Sequence, residues 1–383
     1  MGYRKFSADQ LFDGHKMLGA DQVLIIDEAG AVDGIVPADE AGSEVRHFTG
    51  ILSPGFINCH CHLELSHMKG AIAEKTGLIN FVYDIMRLRH FSENEILDAI
   101  RLADEEMTRN GIVAVGDICN NALTIQQKIT SGLHYQNFVE VSGFTEAVAE
   151  ERFQRALQIH RAFSGHSLPA SIVPHAPYSV SNTLWKKIIH LAGNELLTIH
   201  NQETIAENEL FLERKGHFLS FYERMKIDIG WFIASGKTSM QTFLPTFLLK
   251  QQVILVHNVY TSKEDILFSK VSGIPHLYWC LCPNANLYIT EQLPDIPLLV
   301  EENCSLVFGT DSLASNHQLS ILEEMKTVRT HFPRIPMESL FTWATLNGAK
   351  ALRIQERFGS FEKGKTPGVV ICKADLSGCE RLL

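Results

Sequence analysis

Short apolar runs alternate with helical stretches through most of this 383-residue chain, starting near residue 55. Eight such runs occur, at 55–60, 112–116, 135–141, 170–174, 196–199, 253–256, 277–281 and 305–309. Runs of this length that alternate with helices are typical of βα units around a parallel sheet. The pattern therefore predicts an α/β fold, and eight units indicate a (β/α)8 TIM barrel.

One of the helical stretches carries clear signals for its start and its end. Ser92 and Glu95 form the S-x-x-E pattern of a capping box. The apolar positions that follow at helical spacing are Ile96, Ile100, Ala103 and Met107. Asn110 and Gly111 then form a stop signal before the next apolar run.

The two ends of the chain follow a different pattern. Residues 1 to about 50 contain short apolar strands separated by turns, and a turn-rich link at 359–365 precedes the strand-like run Val369–Cys372. We therefore expect both termini to build one small β-sandwich. The predicted units are 1–52 and 353–383 for the sandwich and 53–352 for the barrel.

The connection at 201–252 is too long for a simple βα loop, so we expect helices with an insertion that covers the active-site pocket. Its large apolar side chains would supply much of the wall that contacts a substrate. We expect this wall from Trp231, Phe232, Phe243 and Phe247.

Composition excludes several classes of protein. The chain is 45% hydrophobic and 20% charged, as in ordinary globular enzymes, and no apolar run reaches the roughly 20 residues of a membrane span. The net charge is −10 and Lys and Arg do not cluster, which argues against a nucleic-acid partner. We expect a cytoplasmic protein with a small-molecule substrate, free cysteines and no membrane partner, and we leave open whether it is a homodimer.

Polar side chains that can bind metal follow nearly every apolar run. They are His60, His62, Asp117, Glu140, His175, His200, His257, Asn284 and Asp311. Active sites of (β/α)8 barrels lie at the carboxyl ends of the strands. His60 and His62 are two residues apart on a strand, so both imidazoles face the same side. Three His and one Asp at one barrel mouth indicate a zinc site with an open position for water.

Six motifs resemble the amidohydrolase superfamily in its cytosine-deaminase and chlorohydrolase branch, which includes aminodeoxyfutalosine and adenosine-type deaminases. They are LSPGFINCHCHLELSHMKG at 52–70, PHAPYS at 174–179, HNQET at 200–204, LVHN at 255–258, CPNANL at 282–287 and GTDSLASN at 309–316. The resemblance runs from about 52 to 365. It implies a (β/α)8 barrel with a flanking β-sandwich.

The resemblance also implies roles for individual residues. The metal ligands would be His60, His62, His200 and Asp311, with Asp311 also taking part in proton transfer. Glu203 would be the proton shuttle, His257 would orient the attacking hydroxide, and His175 would contact substrate. Glu64 and His67, which lie just after the metal-binding motif, are further candidates for substrate binding. We interpret Asp117 and Glu140 as structural.

The number of metal ions can be judged from one position. Binuclear relatives bridge their metals with a modified Lys at the exit of strand four, where this chain has Pro174 and His175. We therefore predict one divalent ion, zinc, with Fe²⁺ as the alternative. Ala285 and Asn286 replace a Ser-Asn pair that is more usual in the family, which leaves the substrate contacts there open.

The predicted function is hydrolytic deamination of an amino-substituted heteroaromatic ring. An adenine-type nucleoside such as aminodeoxyfutalosine is the expected substrate. A first alternative is hydrolytic dechlorination or cyclic amide opening at the same metal site. A second is a non-catalytic binding protein, which should have lost metal ligands, whereas this chain keeps all of them.

Overall fold

The computed structural model describes residues 2–193 and 195–383. Its strands are β1 (Tyr3–Phe12), β2 (Met17–Leu18), β3 (Gln22–Asp27), β4 (Val32–Pro37), β5 (Val45–Pro54), β6 (Phe56–Cys61), β7 (Ile112–Cys119), β8 (His134–Val141), β9 (Ala170–Pro174), β10 (Leu196–Asn201), β11 (Gln252–His257), β12 (His276–Leu281), β13 (Ser305–Phe308), β14 (Val369–Cys372) and β15 (Cys379–Arg381).

The α-helices are α1 (Leu78–Leu88), α2 (Glu93–Arg109), α3 (Ile125–Thr130), α4 (Ala149–Gly165), α5 (Asn182–Ala192), α6 (Ile205–Glu213), α7 (His217–Arg224), α8 (Ser239–Phe243), α9 (Lys263–Val271), α10 (Pro283–Thr290), α11 (Ile296–Glu301), α12 (Ile321–His331), α13 (Met337–Thr342) and α14 (Gly348–Ala351). In the described part of the chain, no helix combines the length and apolar character needed to cross a membrane.

The boundary signals around α2 are confirmed. The Ser92 side chain accepts a hydrogen bond from the Glu95 backbone, and the Glu95 side chain accepts one from the Ser92 backbone. Asn110 caps the other end of the helix. Reciprocal capping satisfies backbone donors that would otherwise lack partners, which is why the helix begins at this point.

Strands from both ends of the chain share one seven-stranded sheet. Its order is β15-β14-β5-β1-β3-β4, with β2 paired to β1. The C-terminal strand β14 pairs antiparallel with β5, and β1 pairs parallel with β5. Because β5 leads directly into β6, this sheet is attached to the start of the central part of the molecule.

Eight parallel strands form the central part, and each coincides with one of the eight predicted apolar runs. They pair as two four-stranded sheets, β6-β7-β8-β9 and β10-β11-β12-β13. Every residue of β7, β10 and β11 is buried, as expected for parallel strands covered on both faces. The predicted α/β fold is confirmed.

The two parallel sheets meet at both of their edges. The backbone N–H of His200 donates to the carbonyl of His175 at 3.0 Å, which joins the ends of β9 and β10. At the other edge, the backbone N–H groups of Thr310 and Asp311 both donate to the His60 carbonyl at 3.0 Å. The carboxyl ends of all eight strands therefore surround one region.

Candidate active site

The ends of β6 and β10 bring three imidazoles together. His60 lies in β6 and His62 directly follows its last residue, and their Nε2 atoms are 3.1 Å apart. One nitrogen from each of His60, His62 and His200 lies within 4.8 Å of the others. Cys59 and Cys61 alternate with these histidines and pack into the core, as strand geometry requires.

Asp311 completes this cluster from the end of β13. Its Oδ1 lies 3.3 Å from Nε2 of His62 and 3.6 Å from Nε2 of His60. A Cβ atom at Gly309 would lie 2.7 Å from the Cβ of His60, so only glycine allows this close approach. Asp311 itself has a left-handed backbone with φ of +57°, a conformation that non-glycine residues adopt mainly where the surroundings enforce it.

The donor set fits a divalent metal ion. All four side chains are buried, and Nδ1 of His60 has no hydrogen-bond partner. Burial lowers the pKa of His60 and His200, which favours the neutral imidazoles that bind metal. Although burial opposes it, the hydrogen bond from His60 and the nearby histidines hold the pKa of the Asp311 carboxyl well below its usual range. Three neutral imidazoles and one carboxylate are a zinc-type ligand set.

Glu203 lies just beyond β10 and is buried. Burial, followed by the charges of Asp311 and Glu207, raises the pKa of its carboxyl well above the usual value. Its Oε1 is 3.6 Å from Nε2 of His257. The preceding turn is held by Glu207, which accepts a hydrogen bond from the backbone of Gln202 at 3.1 Å. The raised pKa favours the protonated carboxyl, which can donate a proton.

His257 ends β11 and faces the same cluster. Burial lowers the pKa of its imidazole to about 3, so the ring is neutral at any physiological pH. One of its nitrogens lies within 4.8 Å of a nitrogen of His60 and of a carboxylate oxygen of Asp311. The side-chain amide of Asn286, from the CPNANL motif, lies 3.1 Å from Nδ1 and fixes the ring orientation.

The sequence pattern of the amidohydrolase family matches residues 51–381. This chain belongs to the amidohydrolase family. It is 25% identical over 380 residues to the 5-methylthioadenosine/S-adenosylhomocysteine deaminase of Teredinibacter turnerae, covering 93% of this chain and 80% of that protein. It is 26% identical over 332 residues to the aminodeoxyfutalosine deaminase of Nitratiruptor, covering 80% and 76%.

A solved structure shares the fold of this amidohydrolase over nearly its whole length. The crystal structure of Helicobacter pylori aminofutalosine deaminase in complex with methylthio-coformycin superposes with a TM-score of 0.85. The two proteins are 22% identical, and the match covers 99% of this chain and 97% of the other. The likeness therefore includes the terminal sheet as well as the parallel strands.

A cavity of about 480 Å³ opens over the histidine and carboxylate cluster. The cavity is lined by Glu203, His257 and Asp311, and also by His175 and Glu64. Nδ1 of His175 lies 2.7 Å from the hydroxyl of Ser179, which holds the ring in place. The structure thus brings eight of the nine candidate site residues to one place.

His67 is the candidate that the structure does not bring to the cavity. Its ring packs edge-on against Phe91 at a centroid distance of 4.9 Å, and it is absent from the cavity lining. The short 3-10 helix Leu63–Met68 turns the chain away after Glu64, so the two side chains face different surroundings.

The aromatic residues expected to form the substrate wall lie elsewhere. Trp231, Phe232 and Phe243 line a second cavity of about 310 Å³, and Phe247 packs against Trp185. The 201–252 segment reaches the first cavity through Phe221, Tyr222, Met225 and Ile227 instead, in and just after α7. The 201–252 segment therefore does line the catalytic cavity, but through residues in and just after α7 and not through the four aromatic residues expected.

Two further helices line the cavity that sequence reasoning missed. Helix α1 contributes Phe81, Val82 and Ile85. Helix α4 contributes Arg152 and Arg155, which lie at the mouth with Arg89, the residue after α1. The guanidinium groups of Arg152 and Arg155 form no ion pair or hydrogen bond within the described part of the chain, whereas the charge of Arg89 acts on the Glu64 carboxyl. The amphipathic pattern of α1 was a usable signal for a buried face, but not for which cavity that face would line.

Asp117 and Glu140 differ in their surroundings. Asp117 forms a fully buried ion pair with Lys128 and accepts a hydrogen bond from the Leu63 backbone at 2.8 Å, consistent with a structural role. Glu140 lines the cavity and has no Lys or Arg partner among the described residues. The interpretation of Glu140 as structural therefore does not account for its position.

Proposed function

We propose that this amidohydrolase is a metal-dependent deaminase of an adenine-type nucleoside such as aminodeoxyfutalosine. The observation that carries the proposal is the position of the buried Glu203 carboxyl, whose pKa is raised, beside a four-residue metal-ligand set at the base of one cavity. Hydrolytic deamination of a ring needs both a proton donor at the ring nitrogen and a nucleophile beside it. The names of the two curated relatives support an adenine nucleoside as the substrate.

We also propose the architecture that carries this site. The eight parallel strands of 53–352 would close into a (β/α)8 barrel, flanked by a small β-sandwich from 1–52 and 353–383. The backbone hydrogen bonds at both edges of the parallel sheets support closure. The shared sheet of β5 and β14 supports a terminal module.

In the proposed mechanism, His60, His62, His200 and Asp311 would hold one divalent ion, zinc or Fe²⁺. Such an ion lowers the pKa of water toward about 7 and so makes hydroxide available at neutral pH. Three neutral imidazoles and one carboxylate would cancel only one of the two positive charges of the ion. The remaining positive charge would attract the oxygen lone pair of a water molecule. His257, neutral and fixed by Asn286, orients the nucleophile through its Nε2 atom.

Glu203 moves the protons of the reaction. Its carboxyl first donates a proton to the ring nitrogen beside the carbon that carries the amino group. The carboxylate of Asp311 accepts the proton that water loses on attack, and the attacked carbon becomes tetrahedral. Asp311 then passes its proton to the amino group, ammonia leaves, and the hydroxyl on the attacked carbon returns its proton to Glu203 as it becomes a carbonyl. One water is consumed for each ammonia released.

The rest of the cavity supports a nucleoside with a large substituent. The apolar side chains of α1 and α7 offer a surface beyond the reacting groups, and a free base would leave most of it unused. Arg152 and Arg155 at the mouth, which have no acidic partner among the described residues, favour a substituent that ends in a negatively charged group. We therefore propose a 5′-substituted adenosine with an apolar body and an anionic end.

A panel assay for ammonia release tests this proposal. We expect kcat/KM to rise from free adenine to adenosine and again to a 5′-substituted adenosine. If the free base were the best substrate, the nucleoside assignment would be wrong although deamination would stand. Release of chloride from a chlorinated ring, without ammonia from any amino ring, would replace the deaminase by a dechlorinase. Binding without turnover in the metal-loaded protein would contradict enzymatic function altogether.

A further inference from the structure

Three polar side chains form a connected group on the β6–β8 side of the catalytic cavity. Glu64 follows β6, Asn120 follows β7, and Glu140 lies near the end of β8. All three line the cavity. The backbone N–H of Asn120 donates to Oε2 of Glu64 at 2.9 Å, and its side-chain amide donates to Oε2 of Glu140 at 3.3 Å. Asn120 therefore links the two carboxyl groups and fixes their positions relative to each other.

Each carboxyl group retains one oxygen without a hydrogen-bond donor. Oε1 of Glu64 has no partner in the described part of the chain. Oε1 of Glu140 lies 3.5 Å from Nδ1 of His200, but that nitrogen donates to the His175 carbonyl at 2.9 Å. An ionised carboxylate only accepts hydrogen bonds, so this wall offers two acceptors and needs two donors.

The contrast with Asp117 shows that these acids are not simply structural. Asp117 is compensated by the ammonium of Lys128, as a buried charge requires. Among the described residues, no Lys or Arg forms a salt bridge with Glu64 or Glu140. Glu64 is buried without such an ion pair, although the charge of Arg89 lies near it, and burying a carboxyl group in this way costs free energy. Groups kept at such a cost in a cavity wall are typical of ligand-binding sites.

We propose that Glu64, Asn120 and Glu140 form a hydroxyl-binding wall that recognises the vicinal hydroxyl groups of a sugar. This inference rests on the proposed function, because a nucleoside substrate carries its sugar next to the reacting ring. Glu140 adjoins His200, so a ring at the metal ligands places the attached sugar near this wall. Two adjacent hydroxyl donors match two adjacent acceptors.

The experiment compares a ribonucleoside substrate with its 2′-deoxy and 3′-deoxy analogues. We expect the wild-type enzyme to prefer the ribonucleoside by about 10- to 100-fold in kcat/KM, the usual range for a hydrogen bond to a charged group. In Glu140→Gln, kcat/KM for the ribonucleoside should fall by a similar factor, mainly through KM. The deoxy analogues should lose less than about threefold, so that the preference collapses.

Two further variants make the result specific. Asn120→Ala keeps the backbone contact to Glu64 but frees Glu140, and it should reduce the ribonucleoside preference in the same direction. Glu151→Gln alters an exposed carboxyl on α4 and should leave every rate within about twofold of the wild type. Metal content is measured for each variant, because Glu140 adjoins His200.

The outcomes separate this inference from the proposed function. Equal rates for the ribonucleoside and its deoxy analogues would overturn the hydroxyl-binding wall while the deaminase stands. A uniform loss for all three substrates in Glu140→Gln would also overturn it, since only a structural role acts on all alike. If no nucleoside is deaminated, the proposed function fails, and equilibrium dialysis with inosine and 2′-deoxyinosine then decides the wall. Preferential binding of inosine, lost in Glu140→Gln, would support it, and equal binding would overturn it.

Discussion

The two sides of the cavity are built in different ways. On the metal side, His60, His200 and His257 lie at the ends of parallel strands, and Asp311 lies three residues beyond the end of β13. All are buried, and their donor atoms form groups within 4.8 Å. On the substrate side, the lining comes largely from helices α1, α4 and α7 and includes exposed arginines. The residues proposed for the reaction are therefore held by the sheet, and the residues proposed for substrate recognition are held by the connections around it.

This difference has a physical cause. Strand ends are held by backbone hydrogen bonds to two neighbours, which keep a metal ligand within a fraction of an ångström of its position. Left-handed backbone at His257 and Asp311, with φ of +75° and +57°, persists only because the surrounding sheet enforces it. Helical connections can change sequence and length without disturbing the sheet, so they can be adapted to different substrates.

Removing the metal should produce the largest effect and would test whether the metal side acts as one unit. We expect dialysis against a chelator to reduce ammonia release to background, and one equivalent of zinc or Fe²⁺ per chain to restore it. The reason is that a bound divalent ion would make hydroxide available at neutral pH. Elemental analysis gives the stoichiometry, and two tightly bound equivalents would contradict the single site.

The Glu203→Gln substitution should lower kcat by about 10²- to 10⁴-fold while metal content stays unchanged. The working form of Glu203 is protonated, and its pKa is raised. Wild-type activity should therefore be present below that pKa and should fall as the pH rises through it. Glutamine cannot ionise, so the residual activity of the variant should lack this alkaline decline. A pH profile of kcat/KM for both proteins measures the difference, and a near-normal kcat would exclude the proton-shuttle role.

The metal side could be predicted from the sequence because its signals are local. Each ligand follows an apolar run directly, so the strand pattern and the position of the polar residue are read together, as at His200 after β10. The parallel strands and the capped helix α2 were predicted for the same reason. These features depend on spacing within a few residues.

The substrate side could not be predicted in the same way. Met225 and Arg152 reach the cavity only because α7 and α4 pack in a particular orientation, and no short-range pattern encodes that orientation. The aromatic residues near Trp231 looked equally suitable by composition, yet they surround another cavity. His67 lies outside the cavity lining because a 3-10 helix follows His62 and turns the chain away after Glu64, which local spacing did not indicate.

The Arg152→Gln substitution should have a moderate effect that depends on the substrate. Arg152 is exposed at the cavity mouth and has no acidic partner among the described residues. We expect KM to rise by about three- to tenfold for a 5′-substituted adenosine with an anionic end, as for a partly screened ion pair. KM for adenosine should not change. Arg161→Gln, on the exposed surface of the same helix, is the matched control, and an equal rise for both substrates would refute the assignment.

The smallest expected effect concerns the aromatic residue that sequence reasoning placed in the wall. Trp231 lines the second cavity, and its indole N–H has no hydrogen-bond partner, so Trp231→Phe removes neither a substrate contact nor a hydrogen bond. We expect kcat/KM to stay within about twofold for adenosine and for a 5′-substituted adenosine alike.

Phe221→Leu, which trims an apolar side chain of the catalytic cavity, should instead raise KM for the substituted nucleoside by several fold, because about 0.8 kcal/mol is lost per apolar carbon removed from contact. If Trp231→Phe raised KM and Phe221→Leu did not, the wall would extend to the second cavity. Phe144, which lines both cavities and stacks on Tyr222 at 4.8 Å, would then be the connection between them.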